Sequence, residues 1–336
     1  HSTHQPIFIL RRTIELFERS SSSLHCVFLD WSKAFDSITH LSILQALQFF
    51  GVPEPLICAI FSLYSSSTFQ VRSGQGLSSS FPQHRGVRQG CPLSPYLFVI
   101  VLSHIMHLAE SAYINLFGSL PGVFSASNPF WDIEYADDTV IVTRTAETSI
   151  KFLEILIPIA FSKGLVINSS KCEHLRLNSN QDVTLIDPTS GSCSTIKVSQ
   201  SVKYLGVLLS PNSNSSLEVN RRISQANVGF KLLKPFLKHK SLPLKWRLSI
   251  YHQIIRAILL YGLDSLSLDQ TSLSKLDAFH FKVLRTCLGI KSSFYHKIVA
   301  ETGVDCSNLS FHKSLCRLRL PEPTPTQILQ DSSLQL

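Results

Sequence analysis

The chain has 336 residues, a hydrophobic fraction of 44% and a formal charge of +8. These values exclude a disordered chain and allow one large domain or two smaller ones. The eight cysteines include no Cys-x-x-Cys pair, which excludes the dense disulfide framework of small secreted proteins.

The charge is unevenly distributed along the chain. Residues 1–210 carry 14 Lys/Arg against 15 Asp/Glu, whereas residues 211–320 carry 17 against 6. Such asymmetry favours a polyanionic partner held mainly by the second part. The alternative is a well-solvated helical surface with no ligand.

In chain order, the first part alternates short strands and helices. A strand over residues 25–30 ends at Asp30, and two apolar runs flank the tetrapeptide YADD at 135–138, which predicts a hairpin. This mixture predicts an α+β domain. The other predicted elements are helices over 41–50, 55–64, 95–110 and 147–162, strands over 69–72, 81–85, 166–167, 172–177, 183–186 and 204–209, and a loop over 118–128.

The second part has helical periodicity. Apolar residues recur at intervals of three and four, which predicts a small helical bundle with a basic exterior. We expect domains at 1–210 and 211–320, followed by a disordered tail at 321–336. The apolar residues with this helical spacing are Leu248, Tyr251, Ile255 and Ile258 in one segment, and Leu276, Phe279, Val283 and Cys287 in the next.

Membrane and secretion signals are weak. The apolar run at 96–109 is short for a bilayer span and contains two histidines, which favours a buried helix. We see no signal peptide. Because the chain begins with His1 rather than Met, we expect an excerpt of a longer polypeptide.

Two groups of side chains suggest metal chemistry. Asp137 and Asp138 are adjacent at the predicted hairpin tip, and adjacent negative charges need a cation or a basic partner. With Asp30 they would provide three carboxylates at one sheet edge, although a lone Asp-Asp pair is usual in turns. A zinc site is a second hypothesis, from Cys306, His312 and Cys316, but it lacks a fourth ligand.

Five segments occur in a fixed order: LDWSKAFD, RQGCPLSPYLF, YADD, GLVINSSKCEHL and YLGVLLS. Together they closely resemble reverse transcriptases of non-LTR (LINE-type) retrotransposons, over roughly residues 2–290. The resemblance implies a right-hand polymerase fold, with a palm and residual fingers at 1–210 and an all-α thumb at 211–320. The basic fingers segment that normally precedes these motifs is not seen, so we expect an N-terminally truncated copy.

The resemblance implies a two-metal nucleotidyl transfer site. Asp30 and Asp137 would be the principal ligands of two Mg²⁺ ions, with Mn²⁺ able to substitute, and Asp138 would complete the acidic triad. Lys171 would protonate the departing pyrophosphate; the alternative is a solvated loop lysine.

The resemblance also implies residues that contact nucleotide, template and primer. Phe35 would be the steric gate against ribonucleotides, and Asp36 would be structural rather than metal-binding. A primer grip would lie at 204–209. The remaining implied residues are Arg88, Gln89 and Gly90 beside nucleotide and template, and Tyr204, Leu205 and Gly206 in the primer grip.

The implied function is RNA-directed DNA polymerase, a nucleotidyltransferase that uses an RNA template, a DNA primer and dNTPs, with no membrane partner and a nuclear location. One alternative is a catalytically inactive remnant that only binds nucleic acid. A group II intron-type maturase is a third possibility, but the Arg-Gln-Gly form of the second motif favours the LINE type.

Overall fold

The computed structural model describes residues 2–74, 76–124, 130–211 and 215–289. The chain forms two compact units. The first, which we call the sheet unit, comprises Thr13–Leu205 and Leu209–Pro211; the second, the helical unit, comprises His1–Arg12, Gly206–Leu208 and Asn212–Leu336. The domain limits 1–210 and 211–320 stay a prediction. The suggested zinc ligands and the tail at 321–336 lie outside the described residues.

A five-stranded sheet forms the centre of the sheet unit. Its middle strand pairs antiparallel with a neighbour on each side, and all six of its residues are buried, as expected for the apolar run LHCVFL. The strands, in spatial order, are β13 (Lys197–Val198), β10 (Glu173–Leu177), β1 (Leu24–Leu29), β8 (Asp138–Thr143) and β7 (Asp132–Tyr135).

Helices cover the sheet face that bears Val27, Leu29 and Ile141. Two of them begin at threonine caps: Thr39 accepts a hydrogen bond from the Ser42 amide, and Thr145 accepts one from the Thr148 amide. The helices within the sheet unit are α2 (Ala34–Ser37), α3 (His40–Phe49), α4 (Glu54–Tyr64), α5 (Ser94–Phe117) and α6 (Ala146–Ser162), whereas α1 (His4–Arg19) is divided between the two units.

Helix α5 extends seven residues beyond the predicted end, to a glycine cap at Gly118 with φ +82°. Its length and apolar composition would be enough to cross a bilayer. However, Leu97, Phe98 and Ile105 lie in the core with at most 1% of their surface exposed. Such a pattern is typical of a core helix.

The remaining strands are short and lie outside the central sheet. The strands predicted over 69–72 and 81–85 are present as shorter ladders. Their bounds are β2 (Trp31–Ser32) paired with β9 (Val166–Ile167), β3 (Thr68–Phe69) with β6 (Phe81–Pro82), β4 (Arg72–Ser73) with β5 (Gly76–Leu77), β11 (Thr184–Ile186) with β12 (Cys193–Thr195), and then β14 (Val202–Tyr204) and β15 (Val207–Leu209).

Helices dominate the described part of the helical unit, and the predicted apolar spacing forms its core. Tyr251, Ile255, Leu276 and Val283 are fully buried. A π-helical segment at Tyr251–Arg256 interrupts the predicted regular helix. The helices are α7 (Ser215–Lys238), α8 (Leu244–Ile250), α9 (Ala257–Leu260) and α10 (Gln270–Leu288). With the mixed sheet unit, this confirms the α+β prediction.

Candidate active site

The pairing of β1 with β8 brings two of the predicted acids together. Leu29 and Thr139 are the last paired residues of this ladder, and Asp30 and Asp138 are the next residue on each strand. Residues opposite each other on antiparallel strands have Cα atoms about 4.5–5.5 Å apart. Asp30 and Asp138 are therefore neighbours at the end of the ladder.

The YADD segment is a hairpin with a two-residue turn. Tyr135 pairs with Asp138, and Ala136 and Asp137 form the turn between them. Ala136 has φ +56°, a region that favours glycine, so the turn is locally strained. This conformation places the exposed Asp137 carboxylate at the tip, as the sequence predicted.

The acids interact electrostatically. Partial enclosure raises the pKa of Asp138 even though its side chain is exposed, and the charges of Asp137 and Asp30 raise this pKa further. Repulsion of this kind is relieved when a cation binds.

Lys171 lies beside the same acids. Its Nζ is 3.9 Å from Asp30 Oδ2, and its side chain is 68% exposed. The loop that carries it is tied to the end of β1, because the Asn168 amide donates to the Asp30 carbonyl at 2.8 Å. The exposed Lys171 ammonium is therefore free to move toward a ligand.

Tyr204, the first residue of the predicted primer grip, lies near this group. It is 3% exposed and packs against Phe28 with the ring centroids 5.6 Å apart. Burial raises its pKa, and the charge of Asp138 adds to this effect. The following two residues, Leu205 and Gly206, both have positive φ, which is typical of a tight hairpin turn.

A second group joins the first two motifs. The Gly86 amide donates to the Ile38 carbonyl at 2.7 Å, and the Val87 amide donates to the Phe35 carbonyl at 2.8 Å. A Cβ atom on Gly86 would lie 2.6 Å from the Asp36 Cα, so only glycine permits this approach. The Phe35 ring packs against Phe98 with the centroids 4.4 Å apart.

Gln89 is held by Asp36 across this junction. Its Nε2 donates to Asp36 Oδ1 at 3.1 Å. This contact gives the predicted structural Asp36 a specific role. Arg88 lies over the Tyr64 ring, 5.9 Å from its centroid, and Gly90 has φ +83° with open space around it.

Three further acids were not anticipated as a group. Asp132 and Glu134 alternate along β7, and burial raises their pKa values to about 7 and about 8. The charge of Glu110 on α5 contributes to both shifts. The i, i+2 spacing in a strand places both acids on one face and could have revealed the pair.

The donor chemistry of the acidic triad suits a hard divalent cation. Carboxylate oxygens are the ligands that Mg²⁺ prefers, and it needs only one or two of them when phosphate supplies others. Among the described residues, however, no three His, Cys, Asp or Glu side chains are already gathered as a ligand set. The chemical type and the negative charge of Asp30, Asp137 and Asp138 therefore suit a divalent ion, although the three carboxylates are not gathered around one point.

Comparison with known proteins identifies the family. The reverse transcriptase (RNA-dependent DNA polymerase) family matches residues 1–209. Its members generally use divalent metal ions. The match includes every motif from LDWSKAFD to the end of the predicted primer grip at residue 209.

Individual relatives are mobile-element proteins. The chain is 26% identical to the uncharacterized 149 kDa protein of transposon TX1 from Xenopus laevis, over 80% of this chain and 20% of that protein. It is 27% identical to the RNA-directed DNA polymerase from mobile element jockey of Drosophila melanogaster, over 78% of this chain and 28% of that protein. Among solved structures, a telomerase from Candida tropicalis in complex with a telomeric RNA fragment gives a TM-score of 0.44 at 14% identity, covering 86% of this chain and 46% of that one.

The chain spans between a fifth and a third of the length of these two mobile-element relatives. The match to the family covers more than half of the chain and contains the paired acids at Asp30, Asp137 and Asp138. The chain therefore belongs to the reverse transcriptase family, as its motifs predicted.

Proposed function

We propose that this chain is an RNA-directed DNA polymerase domain of a non-LTR retrotransposon, which adds dNTPs to a primer 3′-hydroxyl. The observation that carries the proposal is the neighbouring position of Asp30 and Asp138 on paired strands, with Lys171 Nζ 3.9 Å from Asp30. In this proposal residues 1–210 act as palm with residual fingers and residues 211–320 as thumb.

The partners follow from the proposed reaction. An RNA template, a DNA primer and dNTPs are the substrates, and the relative from jockey carries the name RNA-directed DNA polymerase. We place the reaction in the nucleus. Two Mg²⁺ ions, with Mn²⁺ as a substitute, would be held by Asp30, Asp137 and Asp138.

Bound divalent ions supply activation of the attacking oxygen and neutralisation of the leaving group. In the transfer, the primer 3′-oxygen forms a bond to the α-phosphorus of the dNTP, and the bond from that phosphorus to the pyrophosphate oxygen breaks. The proton of the 3′-hydroxyl passes to solvent. Lys171 Nζ then donates a proton to the departing pyrophosphate, which its exposure and its distance from Asp30 support.

The other site residues hold the substrates in position. Gln89 is oriented by its hydrogen bond to Asp36, which favours a fixed contact with the nucleotide or the template. Arg88 and Gly90 flank it in the same segment. Phe35 would exclude the 2′-hydroxyl of a ribonucleotide, and Tyr204, Leu205 and Gly206 would hold the primer end.

The test is primer extension on an RNA template in Mg²⁺. Asp137→Asn removes the charge at the turn with little change in shape, and we expect extension to fall by about 10²–10³-fold or more, because such electrostatic groups contribute at least this much. The matched control is Asp182→Asn, which removes an exposed carboxylate that pairs with Arg176 at 2.6 Å in the same unit.

Extension that survives Asp137→Asn would refute the assigned chemistry. Salt-sensitive nucleic-acid binding without any extension by the unmutated chain would instead indicate the inactive remnant. Adding a family fingers segment to the N-terminus then separates a truncated enzyme from a remnant.

A further inference from the structure

The turn of the predicted primer grip is anchored by a buried charged cluster. Gly206–Leu208 belongs to the helical unit. Its backbone amide and carbonyl groups form hydrogen bonds with side chains of the same unit. The Leu208 amide donates to Glu218 Oε2 at 3.1 Å, and Arg221 and Arg222 both donate to the Gly206 carbonyl, at 2.6 and 2.5 Å.

Glu218 connects the members of this cluster. Its carboxylate is 3% exposed and accepts hydrogen bonds from Arg221 at 2.7 and 2.8 Å and from Arg222 at 2.8 Å. The spacings i, i+3 and i, i+4 place all three side chains on one face of α7. Because both carboxylate oxygens are bonded, Glu218 is fixed in one orientation toward Leu208.

Two further residues complete the enclosure of the segment. Arg11 donates to the Leu208 carbonyl at 3.3 Å and to Ser265 Oγ at 2.6 Å. The Tyr261 ring lies under Arg222, 4.8 Å from its guanidinium carbon, and a Cβ on Gly206 would meet this ring at 3.5 Å. The backbone of Gly206–Leu208 is thus fixed by charged side chains from α1 and α7 and is covered by the Tyr261 ring.

Burying this many charges has an energetic cost that a simple packing role does not require. Desolvation lowers the pKa of Arg11 to about 10 and also lowers that of Arg222. Apolar residues of similar size often give equal or better stability at such positions. Each arginine, in contrast, donates to the Glu218 carboxylate and to the Gly206 carbonyl at the same time, which fixes the two acceptors in a geometry that apolar packing cannot provide.

We propose that Glu218, Arg221 and Arg222 are positioning residues that hold the primer-grip turn and thereby set the affinity for the primer end. This inference rests on the proposed polymerase function. Among the predicted site residues, the cluster contacts only the segment that contains Gly206 and Leu208. We therefore expect changes in the cluster to alter the KM for primer-template and to have little effect on the KM for dNTP.

The competing explanation is that Arg221 simply attracts the nucleic-acid phosphates, since its side chain is 23% exposed. Arg221→Lys separates the two roles. Lysine keeps the charge, but a single ammonium cannot reproduce the fork that bonds Glu218 and Gly206 together. The matched control is Arg247→Ala, which removes an arginine that donates to the backbone carbonyls of Leu237 and Cys287, away from the turn.

The experiment combines hydrogen exchange with steady-state primer extension on the full chain. We expect Arg221→Lys and Arg221→Ala to raise exchange at the Leu208 amide severalfold and to raise the KM for primer-template about tenfold, with the KM for dNTP within twofold of the unmutated value. Arg247→Ala should leave Leu208 exchange unchanged. When Glu218→Gln and Arg221→Ala are combined, the fold-increase in the KM for primer-template should be smaller than the product of the two single fold-increases, because the residues act as one unit.

Rescue of the primer KM by Arg221→Lys would overturn the inference in favour of phosphate attraction. Unchanged Leu208 exchange in both Arg221 variants would overturn it as well. Absence of extension by the unmutated chain would refute the proposed function, whereas extension with a primer KM indifferent to Arg221 would refute this inference alone.

Discussion

Phe35 is the residue whose surroundings most directly suggest substrate selection. It is half-buried at the edge of the core and packs against the fully buried Phe98. A ring supported in this way cannot withdraw easily from an added hydroxyl group, since interiors are closely packed.

Replacing Phe35 by valine should therefore weaken the discrimination between dNTP and rNTP. We expect the ratio of their kcat/KM values to fall by about 10–100-fold, the usual worth of a small steric difference in a pocket. The measurement is single-nucleotide extension with each substrate. Phe152→Leu, which alters a fully buried ring that packs against Trp131 with the centroids 4.4 Å apart, should lower stability while leaving the ratio near its original value. An unchanged ratio in Phe35→Val would contradict the role.

At the scale of elements, strand β7 carries two acidic side chains, Asp132 and Glu134, whose pKa values are raised. Glu134 is half-buried, its Oε1 lacks a hydrogen-bond partner among the described residues, and desolvation raises its pKa to about 8. An unfolded chain would release this proton near the ordinary pKa of 4.5. Folding stability is therefore lost as pH rises from about 4.5 to about 8, because the unfolded state ionises first.

Glu134→Gln removes this dependence. We expect the variant to gain stability relative to the unmutated chain at pH 8, on the order of 2 kcal/mol, and little at pH 5. Urea unfolding at the two pH values measures the difference. Glu147→Gln is the control, because Lys151 lowers the pKa of Glu147 and its removal should not stabilise the chain at pH 8. Equal effects of Glu134→Gln at both pH values would argue against a raised pKa.

Elements with strong local signals could be predicted, while those fixed by distant contacts could not. The YADD hairpin follows from two apolar runs around a polar tetrapeptide, and its pairing is confirmed. The extra turns of α5 depend on tertiary packing, such as that of Tyr113 against Phe152, which periodicity does not contain.

At the scale of the whole molecule, basic residues on the helical unit should make nucleic-acid binding sensitive to salt. Lys231 and Lys234 are exposed on α7. Changing both to glutamine should reduce the slope of log K against log salt by up to about 0.9 per lost phosphate contact. Fluorescence anisotropy with a labelled primer-template at several salt concentrations measures the slope. Lys151→Gln, which removes a lysine paired with Glu147 at 2.7 Å, is the control; a slope equal to that of the unmutated chain in the α7 variant would exclude these lysines from the interface.

The sequence predicted which residues form the candidate site, but it did not predict all of the contacts between them. Ordered motifs named Asp30, Asp137, Asp138 and Lys171, and the structure brings these residues together. The hydrogen bond between Asp36 and Gln89 joins positions 53 residues apart and leaves no periodic trace in the sequence. The Glu218 cluster did have a readable helical spacing, but its contact with the Gly206–Leu208 backbone depends on the folded chain.

The closeness of Gly86 to Asp36 has a genetic consequence. Every missense change of a glycine codon adds a Cβ, and at Gly86 that atom would lie 2.6 Å from the backbone of the facing segment. Gly90 also has positive φ, but nothing lies within 4 Å of an added Cβ, so a replacement there would meet backbone strain without a steric clash. A copy of this sequence that accumulates changes can therefore keep its first two motifs joined only through silent changes at codon 86.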